Sequence, residues 1–244
     1  VGIYSSSSVK TFDTYGGGLL VTDSFELQAL LIKHSYSLQE ISRKILVKKI
    51  ITNLVRNLAT NRIVFAFCTF PFLKFLKIFF ADDIMKYSGT RDRKPLENLP
   101  SEWFYSFTSF QARVGLHMLK NVSKLDEIRI NNVEKIKSLV TGIKSPSGHK
   151  KGRNVYWQFV FYFNDVKKGQ GYLHANKVDT STTSLEYISY LERYPYKRIT
   201  PNAKKLYETG LFIPSYPRLK NRDIKHIIDV LNSLLLNNPK ETNQ

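Results

Sequence analysis

The sequence has 244 residues, 42% of them hydrophobic, and a formal net charge of +17 at pH 7. A chain of this length and hydrophobic content can bury a core, which excludes a wholly disordered tail. Its single cysteine, Cys68, excludes an internal disulfide, and no Cys/His cluster has zinc spacing, so we predict no metal site. The charge favours an anionic partner: nucleic acid, a membrane surface or a phosphorylated ligand.

The first part of the chain predicts a strand and two helices. Residues 17–22, GGLLVT, predict a short buried strand after a glycine turn. Asp23 is the predicted N-cap of the helix that follows, and residues 38–60 predict a basic amphipathic helix. One side of that basic helix carries Ile41, Ile45, Ile50, Leu54 and Leu58. Residues 81–100 are polar and contain prolines, which predicts a loop.

The second part predicts a long helix followed by a smaller α/β region. Ser101 is the predicted N-cap of the long helix, and the loop 142–154 is predicted to separate two subdomains. Residues 155–163, VYWQFVFYF, predict the strongest strand of the chain. One face of that strand carries Val155, Trp157, Phe159, Phe161 and Phe163. Further helices are predicted to start near Ser184, at Thr200 and at Asn221.

A single lysine, Lys10, lies between four serines and three glycines in the stretch YSSSSVKTFDTYGGGLLVTD, residues 4–23. An ammonium group is costly to bury without a partner, so two chemical interpretations arise. Lys10 could bind an anion together with hydroxyls and backbone amides. It could instead form a Schiff base with a carbonyl cofactor whose phosphate the serines hold. A third interpretation is an exposed lysine in a flexible polar loop.

Three stretches, in the same order and with similar spacing, resemble the DegT/DnrJ/StrS-type sugar aminotransferases. Residues 4–31 resemble the family's active-site segment, in which a serine precedes the Schiff-base lysine, a glycine pair and a strand. Residues 98–136 contain Gln-Ala-x-x-Gly-Leu, like the family's segment from a subunit-interface turn into a helix. Residues 211–231 resemble its Leu-Pro-x-x-Pro-x-Leu stretch and closing helix. The resemblance leaves out about residues 40–95.

The resemblance implies an α/β chain that is the C-terminal part of a fold-type I transferase dependent on pyridoxal phosphate. Lys10 would be the Schiff-base lysine and general base, and Ser5 would hold the cofactor phosphate. Ser106 aligns with an asparagine that reaches the neighbouring subunit's cofactor phosphate, which implies a homodimer. The implied parts are the end of the large domain at 1–40, a basic hydrophobic insertion at 41–95, an interface turn and long helix at 96–141, and a small α/β domain at 142–244.

The implied activity is transfer of an amino group, with glutamate as the expected donor, to the keto carbon of a nucleotide-linked sugar. A lysine at position 10 favours aminotransfer over the related dehydratase branch, which has histidine there. The chain has Tyr15-Gly16-Gly17-Gly18 where the family often has Gly-Glu-Gly-Gly, so the glutamate is missing. The first residue is Val, and the family's aspartate for the cofactor ring nitrogen lies upstream of the lysine. We therefore expect a piece of a longer enzyme, inactive on its own.

The insertion has a charge and hydropathy pattern of its own. Residues 41–80 carry eight basic residues and no acidic one, and Thr69 and Pro71 interrupt the apolar run. This pattern is too interrupted to span a bilayer, but it suits the surface of an anionic membrane. The predicted location is therefore cytoplasmic, with peripheral attachment at the inner face of the membrane. The alternative is a packed hairpin that covers the dimer interface or the mouth of the active site.

Two further alternatives apply to the whole chain. One is a catalytically inactive remnant of the family, which keeps the fold without the chemistry. The other is a basic nucleic-acid-binding module, since positive charge and many aromatics are typical of such proteins. Nucleic acid is disfavoured because the aromatic residues lie in apolar runs and do not alternate with Lys and Arg on a polar strand face.

Overall fold

A computed structural model of the protein has an α/β fold, which confirms the predicted class. The residues that it describes are 1–7, 10–79, 98–99, 101–141, 152–182, 187–190 and 200–237. The chain divides into two compact units, Val1–Val122 and Ser123–Gln244. The four-part domain scheme drawn from the resemblance stays a prediction.

The first unit begins with a hairpin and a helix. Strands β1 (Gly2–Ser5) and β2 (Gly18–Val21) pair antiparallel and form a two-stranded sheet. Helix α1 (Phe25–Tyr36) follows Ser24, whose hydroxyl accepts a hydrogen bond from the amide three residues later at 3.2 Å. The predicted strand is therefore present, but its predicted burial is wrong, since all four residues of β2 are exposed. The N-cap is Ser24 and not Asp23, because Ser24 places its oxygen on the helix amide.

Residues 39–79 are mostly helical. The elements are β3 (Gln39–Glu40), α2 (Arg43–Ala59), α3 (Arg62–Val64), a π-helical turn (Phe65–Thr69) and α4 (Phe70–Phe79). The predicted basic helix is thus confirmed, although it begins at Arg43 because the Ser42 hydroxyl caps it. The predicted loop at 81–100 lies almost entirely outside the described residues.

Helix α2 leaves part of its predicted apolar side exposed. Two of the five residues predicted on that side, Leu54 and Leu58, are exposed at 58% and 62%. The buried residue of this helix is Asn53, which is 3% exposed. A buried amide indicates that a polar contact orients the helix, because an amide is costly to bury without hydrogen bonds.

The long helix α5 (Ser109–Leu139) begins later than predicted. The predicted N-cap, Ser101, lies in a 3-10 turn, and the following strand β4 (Tyr105–Ser106) pairs in parallel with β3. Thr108 and Gln111 cap the helix reciprocally. The Thr108 hydroxyl accepts a hydrogen bond from the backbone amide of Gln111 at 3.2 Å. In return, Oε1 of the Gln111 side chain accepts one from the backbone amide of Thr108 at 3.1 Å. This capping box satisfies amides that would otherwise lack partners, so the helix starts there.

The side chain of Gln111 also holds the loop that joins β1 and β2. Its Nε2 donates hydrogen bonds to the carbonyl oxygens of Thr14 at 3.1 Å and Gly16 at 3.3 Å, and Gln111 is 4% exposed. One turn along α5, a Cβ on Gly115 would lie 2.9 Å from Cζ of Phe12. A side chain at position 115 would therefore have to displace the Phe12 ring.

The second unit contains a three-stranded antiparallel sheet with the spatial order β5-β7-β6. Its elements are β5 (Phe159–Tyr162), α6 (Val166–Ala175), β6 (Ser181–Thr182), α7 (Pro201–Thr209), β7 (Gly210–Ile213) and α8 (Asn221–Asn237). The core packs one face of the sheet against α8 and the end of α5, where Val133 and Ile136 are fully buried. Helix α8 contributes seven buried residues, which confirms the core-facing helix predicted from Asn221.

The other predictions for the second unit have mixed outcomes. The predicted strand is present but shorter, because Tyr156 has a φ of 53° that breaks the extended backbone, and Trp157 is 40% exposed. The helix predicted at Thr200 is confirmed, although the Thr200 hydroxyl lies 2.6 Å from that of Tyr187 and makes no capping bond. Most of the loop 142–154 and the start near Ser184 lie outside the described residues. Helix α6 and strands β6 and β7 were not predicted.

We expect Gln111→Glu to loosen the loop between β1 and β2. A carboxylate keeps the capping box but cannot donate to the loop carbonyls. The Gly16 carbonyl keeps the hydroxyl donors of Ser6 and Thr14, whereas the Thr14 carbonyl loses the Gln111 bond, and an unsatisfied buried acceptor costs about 1–3 kcal/mol. Hydrogen exchange measures this through the Thr14 amide, which is bonded to the Ser6 carbonyl at 3.0 Å and should exchange faster. Gln28→Glu, the same substitution at an exposed position of α1, is the matched control. Equal exchange of Thr14 in both variants would contradict the prediction.

Candidate active site

Lys10 lies half-buried in the loop between β1 and β2, and buried hydrogen bonds close that loop. The Ser6 amide donates to the Gly17 carbonyl at 3.1 Å, and the Thr14 amide donates to the Ser6 carbonyl at 3.0 Å. Ser6 and Thr14 are both 0% exposed. The Lys10 amide donates to the Ser7 carbonyl at 3.2 Å. The base of the loop is therefore fixed on both sides of the lysine.

The glycine turn before β2 uses backbone conformations that other residues rarely adopt. Tyr15, Gly16 and Gly17 have successive φ values of 64°, 122° and 92°. A Cβ on Gly17 would also lie 2.9 Å from Cδ2 of Phe107. Asp13 supports the start of the turn, since its Oδ1 accepts a hydrogen bond from the Tyr15 amide at 2.8 Å. The turn thus depends on glycine both for its backbone geometry and for space.

Helix α2, from the insertion, is bonded directly to this loop. Nδ2 of Asn53 donates a hydrogen bond to Oδ2 of Asp13 at 2.8 Å. Nη2 of Arg56 lies 3.8 Å from the same Asp13 oxygen and also donates to Oδ1 of Asn53. One face of the insertion therefore packs on the loop that carries Lys10, which favours the packed-hairpin interpretation for that face.

A cavity of about 1030 Å³ lies beside the loop, within the first unit. Its lining includes Ser7, the turn Gly16–Gly18, Lys49 of α2, Trp103 and Ser106. Of the three site residues predicted from the sequence, Ser106 lines this cavity, whereas Ser5 and Lys10 are not among its lining residues. The Ser5 hydroxyl is nevertheless 3.0 Å from the Ser7 hydroxyl, so Ser5 contacts the lining. The roles assigned to Lys10, Ser5 and Ser106 stay predictions.

Three residues that shape this site were not predicted from the sequence: Asn53, Gln111 and Lys49. Gln111 had a local signal, because Thr108-x-x-Gln111 has the spacing of a capping box. The hydrogen bond from its side chain to the loop had no local signal in the sequence, because the acceptor, Thr14, is 97 residues away. Asn53 was a polar residue within an apolar pattern, which could have indicated a buried polar contact.

The remaining candidates give no second site. Within the described ranges, no group of three or more His, Cys, Asp or Glu side chains could hold a metal ion. No helix in that same part of the chain is long and apolar enough to cross a membrane. Arg153 pairs with Glu127, while residues 142–151 lie outside the described ranges.

Comparison with known proteins identifies one family. The DegT/DnrJ/EryC1/StrS aminotransferase family matches residues 85–232, a range that includes Ser106 and Gln111 but neither Ser5 nor Lys10. Among curated proteins, the spore coat polysaccharide biosynthesis protein SpsC of Bacillus subtilis (strain 168) is 24% identical over 156 residues. That alignment covers 54% of this chain and 40% of SpsC.

Solved structures show the same fold. The sugar aminotransferase CalS13 from Micromonospora echinospora superposes with a TM-score of 0.58 at 17% identity, over 95% of this chain and 51% of CalS13. The E. coli GDP-4-keto-6-deoxy-D-mannose-3-dehydratase with bound hydrated PLP gives a TM-score of 0.57 at 17% identity, over 94% and 54%. The chain thus spans about half of these structures and less of SpsC. Because the family match covers more than half of its residues, this chain belongs to the DegT/DnrJ/EryC1/StrS aminotransferase family.

Proposed function

We propose that this chain is part of an aminotransferase that uses pyridoxal phosphate and transfers an amino group from glutamate to a nucleotide-linked keto sugar. The observation that carries the proposal is the half-buried lysine in a loop closed by Ser6 and Thr14 and held from α5 by Gln111. Family membership supports aminotransfer. The names of CalS13, a sugar aminotransferase, and SpsC, a polysaccharide biosynthesis protein, support a sugar substrate.

The groups around the loop suit pyridoxal phosphate. Lys10 offers the amine that would hold the cofactor carbonyl, and the adjacent Ser5 and Ser7 hydroxyls, 3.0 Å apart, suit a phosphate group. A related enzyme, the E. coli dehydratase, is described with bound hydrated PLP. The cofactor, when bound, supplies the electron sink that the side chains of the protein lack.

Lys10 would also move a proton. Its Nζ, when neutral, can take the proton from the substrate carbon that bears the amino group and return a proton there in the reverse direction. This transfer requires the amine to return to one position, because general-base catalysis depends on hydrogen-bond reach. The buried bonds of Ser6 and Thr14, together with the two bonds from Gln111, would provide that fixed position.

We expect Lys10 to carry the cofactor in the full-length protein, expressed from the complete natural reading frame. Borohydride treatment after incubation with pyridoxal phosphate should fix the label on the peptide that contains Lys10, as mass spectrometry would show. Lys10→Ala should lose this label and the near-ultraviolet/visible absorbance of the bound cofactor. Lys33→Ala, at an exposed position of α1, should keep both. A label on another lysine, or unchanged labelling of Lys10→Ala, would refute the assignment.

We also propose a homodimer in which Ser106 contacts the cofactor phosphate of the partner subunit. The support is the alignment of Ser106 with the asparagine that has this role in the family. The surrounding turn suits an interface, because Trp103 and Phe104 are 62% and 50% exposed. Large aromatic side chains on a surface are typical of residues that carry binding energy between proteins.

Hybrid dimers test this arrangement. In a dimer of one Lys10→Ala subunit and one Ser106→Asp subunit, a cross-subunit role for Ser106 leaves one site intact and places both changes in the other. Mixing the two variants should therefore restore borohydride-fixed cofactor on Lys10 above the level of either variant alone. A role within one subunit gives no intact site, so absence of recovery, or a monomer in sedimentation experiments, would reject the proposal.

We further propose a cytoplasmic location with the insertion attached to an anionic membrane surface. Val47, Ile51, Leu54 and Leu58 are between 51% and 62% exposed. Their 4-3-4 spacing places them in one stripe along α2, opposite the face that Asn53 and Arg56 bind to the loop. Arg43 and Lys44 flank this stripe, and each cation near an anionic surface contributes about 1 kcal/mol.

The helical segment after α2 presents a similar surface. Its exposed apolar residues include Ile63, Phe67, Phe72 and Phe75, with exposures of 70%, 79%, 60% and 57%. Phenylalanine and isoleucine can enter the boundary between head groups and acyl chains while neighbouring lysines remain at the phosphates. The absence of any acidic residue between 41 and 80 suits an anionic bilayer.

Co-sedimentation with vesicles tests the membrane proposal. The protein should sediment with phosphatidylglycerol vesicles, less with phosphatidylcholine vesicles, and less at high salt. The double variant Leu54→Ser/Leu58→Ser should lose most of this binding, whereas Leu139→Ser/Leu236→Ser, at exposed positions of α5 and α8, should keep it. Equal sedimentation of the two double variants, or no preference for the anionic lipid, would exclude the proposal.

A further inference from the structure

The cavity beside the Lys10 loop contains a cation with no role in the function proposed above. Lys49 lines the cavity and is half-buried. Its Nζ lies 3.5 Å from the point that a Cβ on Gly16 would occupy. The ammonium group therefore lies against the glycine turn, within the space that the cavity encloses.

The orientation of Lys49 follows from the contact between α2 and the loop. Asn53 and Arg56 are four and seven residues further along the helix, so the three side chains share one face. Asn53 and Arg56 both bind Asp13, just before the turn. The same contact that attaches the insertion to the loop therefore also directs Lys49 over Gly16.

The surroundings of Lys49 leave its charge available to a ligand. Glu40 is the other charged residue that lines the cavity, yet Lys49 forms no ion pair with Glu40 or any other residue that the structure describes. A half-buried ammonium group favours an anionic partner, because burial without one costs free energy. The cavity thus holds a positive charge that a bound anion would neutralise.

Neutral hydrogen-bond donors accompany this charge. The hydroxyl of Ser7 belongs to the lining. The amides of Gly16 and Gly17 donate to no residue in the described part of the chain. Successive amides in a turn of this kind form concavities that bind anions, and serine hydroxyls suit phosphate oxygens. Lys49 and these donors together match a phosphate group.

We propose that this cavity binds a phosphate-bearing ligand and that Lys49 neutralises the phosphate. A volume of about 1030 Å³ exceeds what a free phosphate fills and matches sites that enclose whole organic ligands. The phosphate can belong to the nucleoside diphosphate of the sugar or to the cofactor. The naming of these two ligands rests on the proposed function, whereas anion binding by Lys49 does not.

Calorimetric titration of the protein with two probes tests the proposal. Thymidine diphosphate represents the nucleotide of the substrate, and deoxypyridoxine phosphate represents the cofactor without its reactive aldehyde. Lys49→Ala should weaken at least one probe by about tenfold or more, since a lost charge-assisted hydrogen bond has that magnitude. Lys49→Arg should retain most of the affinity because it keeps the charge. Lys120→Ala, which removes a lysine at an exposed position of α5, should change the affinity less than about twofold.

The outcomes separate the two ligands and the two proposals. Weakening of thymidine diphosphate alone assigns Lys49 to the substrate, and weakening of deoxypyridoxine phosphate alone assigns it to the cofactor. Failure of both probes to bind the unchanged protein, or equal effects of Lys49→Ala and Lys120→Ala on every probe that binds, would overturn the proposal. If Lys10 takes no label but Lys49-dependent binding of thymidine diphosphate persists, the aminotransferase proposal fails and the anion site stands. Circular dichroism of each variant separates a folding defect from lost binding.

Discussion

The first unit depends on how one buried side chain, Gln111, divides its hydrogen bonds. Its oxygen completes the cap of α5, and its nitrogen donates to the carbonyls of Thr14 and Gly16. The start of a helix and the position of the loop with the candidate Lys10 are thereby set by the same amide. Because Gln111 is 4% exposed, neither set of bonds can be exchanged for water without cost.

Helix α2 has two faces with different chemistry. On its polar face, Asn53 and Arg56 contact Asp13 of the loop. The polar face is therefore the one that packs on the protein, whereas an ordinary amphipathic helix packs its apolar face. The apolar face of α2 is exposed in the described structure. The polar face also brings Lys49 to Gly16. Gly16 aligns with the glutamate of the Gly-Glu-Gly-Gly pattern in the family that the sequence resembles.

The two units are stabilised by different kinds of interaction. The second unit has a continuous apolar core, with Leu211, Leu231 and Phe163 almost fully buried between sheet and helix. The fully buried residues of the first unit include Ser6 and Thr14, whose bonds close a loop and do not build a core. A hydrogen bond weakens steeply with distance and angle, so the bonds of Ser6 and Thr14 fix the backbone geometry of the loop.

The sequence by itself determined the helix at Asn221 and the strand around Phe161, because these follow from local periodicity. The α/β class and the family followed from the resemblance of three stretches to known proteins. The sequence also singled out Lys10 by its unusual neighbours. Only the tertiary structure decided which face of α2 is buried, since Asn53 and its partner Asp13 are 40 residues apart. The same holds for the cavity and for Lys49, whose place over the turn depends on that contact. Periodicity reports how apolar a face is, but a buried polar contact between distant segments leaves no periodic pattern.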